Sequence, residues 1–290
     1  MKSRKHQLLL AFSVFTLTIV GCKKESEINM EAPVRRITAN SSPYVTSLFE
    51  YLPAPGQLIN TSNGNMTAAE SILGKEGLVS LGAWGGYIVL GFDHTVLNTQ
   101  ESDDILITGN AWASFAEPGV VWIMQDENGN GKPDDTWYEI AGSEFRKEGY
   151  IRDYAITYTR PTPAGDVNWT DNKGNSGTVK TNQYHTQPYY PEWLSGQTYT
   201  LTGTLLPLSN INASNPSSIT SRPFSSGYAD NTPGGDRIDI AKAVDKDGKN
   251  VVLKGADFIK IQTGVQYNMG WLGELSTDIL GVADISLLAD

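Results

Sequence analysis

Apolar and polar residues alternate in short bursts along most of the chain, at the two-residue period of half-buried strands. YVTSLFEYL (44–52) alternates up to the turn Pro53-Ala54-Pro55-Gly56. LVSLGAWGGYIVLGF (78–92) reads as two apolar runs split by a glycine pair, and DILITGNAW (104–112) follows a polar turn. VVWIMQD (120–126) and TWYEIAG (136–142) flank a polar decapeptide, and YAITYTR (154–160) alternates cleanly. QTYTLTGTLLPL (197–208) is rich in threonine. RIDIAKAVD (237–245) and VVLKGADFIKIQTG (251–264) are joined by Lys246-Asp247-Gly248-Lys249, which predicts a hairpin. DILGVADISLLA (278–289) predicts the closing strand, and AAESILGKEG (68–77) predicts the one helix.

Roughly ten strands joined by turns, with no alternation of strand and helix, predict an all-β fold: a β-sandwich or jelly roll. The 29 glycines, 13 tyrosines and 7 tryptophans agree with strands, turns and an exposed aromatic surface. Two polar stretches, 161–196 and 209–235, are too long for hairpin loops. Long ordered loops on a β scaffold are where binding concentrates. No internal repeat, no GxGxxG after a strand and no GKS/T phosphate loop is present.

The N-terminus follows a different pattern. Lys2, Arg4 and Lys5 precede the short apolar run LLLAFSVFTLTIV (8–20), which reads as a cleaved signal peptide over residues 1–21 rather than a membrane span. It ends in Ile19-Val20-Gly21-Cys22, which resembles the lipobox of bacterial lipoproteins. That resemblance implies that Cys22, the only cysteine, receives lipid and becomes the mature N-terminus. Residues 22–42 then read as a lipidated, polar tether, and 43–290 as a single sandwich domain. Glu25 and Glu27 near the anchor resemble surface-export signals of Bacteroidetes lipoproteins. The chain carries a formal charge of −10, and losing Lys2, Arg4 and Lys5 makes the remainder more acidic. Such a surface has no electrostatic reason to bind nucleic acid. Nothing after residue 22 is apolar enough to span a membrane, so the lipid is the expected membrane contact.

Three places hold candidate chemistry. DENGNGKPDD (126–135) sets Asp126, Asn128 and Asn130 at every second position ahead of Gly131, Asp134 and Asp135. Oxygen ligands so spaced suit calcium, with Glu139 as a further ligand. The same residues suit a plain hairpin turn with Asn130-Gly131 at its tip. An EF-hand is disfavoured, because its twelfth position, which wants a bidentate Glu, is Trp137. The second place is NQYHTQPYYPEW (182–193), where Tyr184, His185, Tyr189, Tyr190 and Trp193 crowd one proline-punctuated loop. Rings held by prolines make a stacking platform for a sugar or a macrocycle, or else pack the loop onto the sandwich. His185 adds an imidazole suited to a cobalt centre. Trp84, Trp169 and Trp271 add single aromatic positions. The third is catalysis. His94, beside Asp93, reads as a capped turn. No GxSxG elbow is present, and acylation of Cys22 leaves no thiol nucleophile. Paired carboxylates of a glycoside hydrolase, for instance Asp103/Asp104 with Glu117, remain the alternative.

YVTSLFEYLPAPGQLIN, SLGAWGGYIVLGFDH, EPGVVWIMQDENGNGKPDDTWYEIAGSE and GGDRIDIAKAVDKDGKNVVLKGADFIKIQT resemble, in unbroken order over most of 43–290, the "cell surface protein" modules of Bacteroides-type bacteria, sometimes found beside PKD-like domains. The resemblance implies an outer-membrane, surface-exposed lipoprotein accessory to nutrient uptake, some relatives being associated with cobamide (vitamin B12) acquisition. It implies capture of a scarce ligand, a cobamide first and a glycan next, and its delivery to a TonB-dependent transporter. A surface hydrolase and a calcium-stabilised adhesion module are the competing expectations.

Overall fold

The computed structural model describes residues 32–288. The expected signal peptide (1–21), Cys22 and the first part of the expected tether lie outside the described residues. In chain order the elements begin β1 (Ser47–Leu52), α1 (Met66–Ser71), β2 (Val79–Ser80), β3 (Tyr87–Leu97), β4 (Ile105–Gly109) and β5 (Gly119–Met124). They continue with β6 (Tyr138–Ile140), β7 (Ile151–Thr159), β8 (Val167–Asp171), β9 (Ser176–Val179), β10 (Thr198–Leu205) and β11 (Ile211–Asn212). The last are β12 (Thr220–Ser221), β13 (Tyr228–Ala229), β14 (Asp236–Ile238), β15 (Ala243–Val244), β16 (Gly255–Thr263) and β17 (Asp278–Asp284).

These strands make the expected all-β sandwich. A seven-stranded sheet runs β1-β3-β16-β5-β6-β15, with β13 also paired to β5. A four-stranded sheet, β14-β4-β17-β2, faces it. Alternation supplies the core between them: Ile88 and Leu90 of β3, Val121 and Ile123 of β5, and Ile259 and Ile261 of β16 meet Ile105, Ile107, Ile279 and Val282. Helix α1 closes this core with Ala68 and Ala69, and Asn65 caps it by accepting from the Ala68 N–H at 2.9 Å. The helix is shorter than predicted because Gly74 takes a left-handed φ of 70°.

A second four-stranded sheet, β10-β7-β8-β9, packs a separate core of Tyr154, Ile156, Tyr158 and Leu201 around Trp84. Its hairpin β8–β9 falls inside the stretch 161–196 that the sequence presents as loop. Gln262 links this sheet to the outer face of the large one, its amide donating to Thr202 O at 2.9 Å and Gly85 O at 2.8 Å. Residues 245–249 form the expected turn, with Asp245 N–H bonded to Lys249 O at 2.9 Å. Its immediate flanks pair antiparallel, Val244 with Asn250 and the Val251 N–H with Ala243 O at 3.0 Å, but the pairing stops there. β15 pairs with β6, while β16 lies between β3 and β5. The folded unit also reaches back to Ala32, shortening the expected tether. Arg35 docks this segment through the buried Asp257, whose Oδ1 lies 2.9 Å from its Nη2, and through Phe92 O at 2.9 Å. Among the described residues no helix is long and apolar enough to cross a membrane.

Candidate functional site

The aromatic loop 182–193 divides into inward and outward rings. Asn60 pins it by donating to Pro188 O at 2.7 Å and Tyr190 O at 2.9 Å. Tyr189 and Tyr190 are then 0 % and 2 % exposed, core residues rather than a stacking surface. Arg160 covers the Tyr190 ring at 4.2 Å, and Tyr199 meets it edge-on at 5.2 Å. Tyr184 is 67 % exposed; Trp193, 39 % exposed, stacks on Tyr51 at 6.1 Å. His185 is half-buried, its backbone N–H held by Asn182 Oδ1 at 3.0 Å.

In the 126–135 loop the oxygens turn onto the loop itself. Buried Asp126 accepts from the Asn130 and Gly131 N–H groups at 3.1 and 2.8 Å. Asp135 accepts from the Glu127 N–H at 2.9 Å, and the Asn128 and Asn130 amides donate to Asp134 at 3.1 and 3.0 Å. Among the described residues no group of three or more His, Cys, Asp or Glu side chains is arranged to hold a metal ion. The loop is a turn stitched by its own hydrogen bonds. Asp104 is likewise structural, accepting from the Thr99 N–H at 2.9 Å and the Ile240 N–H at 3.0 Å. It does not pair with Glu117, whose carboxyl neighbours are Asp278, Asp230 and Glu274. His94 is fully buried between Asp93 Oδ1 at 2.7 Å and Asp284 Oδ2 at 2.8 Å, which makes it an ion-paired clamp.

The surface feature that stands out lies elsewhere. A cavity of about 380 Å³ is lined by Gln57, Asn110, Trp112, Phe115, Glu117 and Glu274, among others. Trp112 and Phe115 exchange backbone hydrogen bonds of 2.9 and 3.0 Å, so one tight turn presents both rings. Ser221 fixes that turn by donating its N–H to Ser114 O at 2.9 Å. Trp112 is 72 % exposed, and Trp271, beside the lining residue Leu272, is 59 % exposed. Gln57 ties in the predicted aromatic loop. Its Oε1 accepts from the Asn182 amide at 3.0 Å, and Asn182 in turn holds the Tyr184 N–H at 2.9 Å. A second cavity, of about 490 Å³, shares Glu274 and Leu275 with the first. Its walls include Tyr154, Trp169, Asp171, Asn175, Gln266 and Tyr267. The Trp169 indole lies against Gly177, where a Cβ would come within 2.3 Å of the ring. Both volumes fall within the range of about 300–1,000 Å³ typical of small-molecule sites.

Glu274 is the electrostatic centre of both cavities. Its Oε1 accepts from the Gln57 N–H at 2.6 Å, and its buried Oε2 has no protein partner. Burial pushes its pKa up to about 8, against the pull of that backbone hydrogen bond. Burial also raises Asp278 to about 6, opposed by hydrogen bonds from Ser80, Asn110 and Ser276. Glu117 and Asp230 are raised strongly, by burial first and then by the charge of Asp278. A pKa of about 8 leaves Glu274 mostly protonated at neutral pH, with an O–H available to donate to a ligand. Asp171 goes the other way. Burial raises it, but hydrogen bonds from Tyr154, Asn175 and Lys173 outweigh that and bring it down to about 2. Glycosidase chemistry asks the environment to drive two carboxyls apart in acidity. Glu117 and Glu274 are driven in the same direction, whereas Glu274 and Asp171, which line the same larger cavity, are driven apart.

Sequence reading found Glu117 by composition and noted Trp169 and Trp271, but missed Trp112, Phe115 and Glu274. The available signal was an aromatic residue in a small-residue turn, NAWASF and NMGWLGE. Compared with known protein families and with characterised proteins, the chain matches none.

Proposed function

We propose that this chain is a binding module that captures a small ring-bearing nutrient at the rim formed by Trp112, Phe115 and Trp271. The observation carrying this reading is that Trp112 and Phe115 line one cavity whose buried carboxyl keeps an oxygen without a protein partner, with the exposed Trp271 next in sequence to the lining residue Leu272. Rings supply faces for stacking at low entropic cost, and Glu274 donates to an acceptor on the ligand. Exposed aromatic surface of this kind marks an interaction site.

The wider setting rests on the lipobox-like Ile19-Val20-Gly21-Cys22 and on the resemblance to Bacteroides-type cell surface proteins. It is a lipid-anchored outer-membrane protein that passes its ligand to a TonB-dependent transporter. A cobamide is the first ligand to test, because an open aromatic rim accepts a broad flat face. A glycan is the second, because Asp171, Asn175 and Gln266 line the adjoining cavity with groups that suit hydroxyls. Tryptophan fluorescence of residues 23–290, titrated with cyanocobalamin and with a panel of neutral oligosaccharides, separates the two. Saturable quenching by one class identifies the ligand. Release of reducing ends from an oligosaccharide would replace the binding reading with the hydrolase. Cys22→Ser should move the full chain from the membrane to the soluble fraction, and unchanged membrane association would contradict the anchor.

A further inference from the structure

The outer face of the seven-stranded sheet carries a second groove, separate from the Glu274 cavities. Alternation along β16 sends Ile259 and Ile261 into the core and turns Lys260 outward, between Val89 of β3 and Trp122 of β5. A lysine at the centre of a sheet face is unusual, because charged side chains are seldom buried unless paired. Lys260 Nζ lies 4.3 Å from the Tyr87 ring centre and 5.3 Å from that of Trp122. Within the described residues it makes no hydrogen bond and no ion pair. Three N–H donors on a partly buried ammonium thus have two π faces and no acceptor. Burial lowers its pKa, with the charge of Glu50 pulling the other way, and Glu50 is already bonded to the Tyr87 hydroxyl at 2.5 Å.

The space beside Lys260 is a groove of about 300 Å³ whose walls include Trp122, Trp137, Glu139, Arg152 and Thr204. Glu139 and Arg152 neutralise each other. Glu139 takes the Arg152 Nε at 3.3 Å and the Thr204 hydroxyl at 2.7 Å, while Arg152 Nη1 is spent on Asp245 O and Lys246 O at 2.6 and 2.9 Å. Lys260 is left as the cation with donors to spare. Trp137 also borders a neighbouring hollow of about 420 Å³ with Phe49, Val89, Lys132 and Pro133. Asp153 and Asp245 also line the groove, so a polyanion would be repelled there. A single carboxylate meets less of that repulsion and can offset it by a charge-assisted contact with the Lys260 ammonium.

We infer that this groove binds a sugar ring bearing one carboxylate, of the uronic or sialic acid class, with the carboxylate on Lys260 and the ring against Trp122 and Trp137. The ammonium gains the acceptor it lacks, in a charge-assisted hydrogen bond, and the indoles supply the stacking faces. The overall acidity of the chain gives no general attraction for such a ligand, so recognition rests on the partly buried Lys260, the exposed Lys246 that also lines the groove being paired with Asp247 at 3.1 Å.

Ligand-observed NMR of the wild type should detect saturable binding of glucuronate or N-acetylneuraminate, with glucose and lactose at least about tenfold weaker, as expected for one charge-assisted contact. Lys260→Met keeps the apolar stem and should lose that preference, whereas Lys260→Arg should keep it. Trp137→Ala, at the groove rim, should weaken every sugar. Trp112→Ala, in the other site, should leave the Lys260-dependent preference for the acids intact, so failure of one site leaves the other testable. Unaltered melting temperatures confirm that the variants fold. Equal binding of acidic and neutral sugars, no binding of either acid by the wild type, or an acid preference surviving Lys260→Met would each overturn the assignment.

Discussion

Replacing Glu274 by glutamine tests the electrostatics on which the site depends. Glutamine matches the neutral acid in shape: its carbonyl keeps the Gln57 N–H, and its amide stands where Oε2 now has no protein partner. The wild-type carboxyl is raised from an ordinary 4.5 to about 8, so the folded chain holds a proton that the unfolded chain releases between those values. Stability contributed by the protonated group is therefore complete below pH 4.5 and drains away as pH rises towards 8. At about 1.4 kcal/mol per pH unit for one proton, the loss from pH 5 to pH 8 is roughly 4 kcal/mol. Asp278, raised from 3.8 to about 6, adds loss of the same sign at the acidic end of that window. Urea unfolding at pH 5, 6, 7 and 8 measures it. Glu274→Gln should flatten the wild-type decline by roughly 3–5 kcal/mol across the series. Parallel profiles would mean that Glu274 is ionised in the folded chain, and the neutral donor at the centre of the cavities would have to be abandoned.

Three further outcomes follow from the same geometry. Tyr190→Ala should cost about 3–5 kcal/mol of stability, as large buried rings do, and a neutral effect would return Tyr190 to the surface. At His94, burial alone lowers the pKa, but hydrogen bonds to Asp284 and Asp93 outweigh it and the net shift is upward. Its stabilisation is present below about pH 6.5 and is lost as pH rises through the raised value, so His94→Gln should be costly at pH 6, by about 3–5 kcal/mol, and much less so at high pH; equal cost at both ends would refute the ion pair. Because the 126–135 loop satisfies its own oxygens, millimolar calcium or a chelator should leave the melting temperature nearly unchanged, while a clear rise abolished by Asp134→Ala would establish an ion site.

The sandwich was legible because its long strands are apolar runs of strand length, buried over most of their residues and bounded by polar turns. β3, β5, β16 and β17 each bury one face against the facing sheet, and the apolar pattern records that. The β8–β9 hairpin was hidden because only Val167, Trp169 and Val179 break a run of polar residues, and its turn is made by Asp171 accepting from the Lys173 and Asn175 N–H groups. The register of β16 was hidden for a different reason: local turn chemistry at 245–249 fixes a bend, not the partner of the strand leaving it. The tyrosine pair Tyr189-Tyr190 misled because density of rings says nothing about direction, which Asn60, far away in sequence, decides. Glu117, Asp230, Glu274 and Asp278 come from separate strands and loops, and no spacing rule gathers them. Their shared burial exists only after folding.

The central claim is that Trp112 and Trp271 hold the ligand. A calorimetric titration of residues 23–290 with cyanocobalamin, and with the best oligosaccharide of the panel, should be run beside Trp112→Ala/Trp271→Ala. Both side chains are exposed, so the double variant should fold with an unchanged melting temperature. The account predicts saturable binding by the wild type that weakens by at least about 1–3 kcal/mol in the variant, the range of an aromatic hot spot. Full affinity in the folded variant would contradict it and move the site away from this rim.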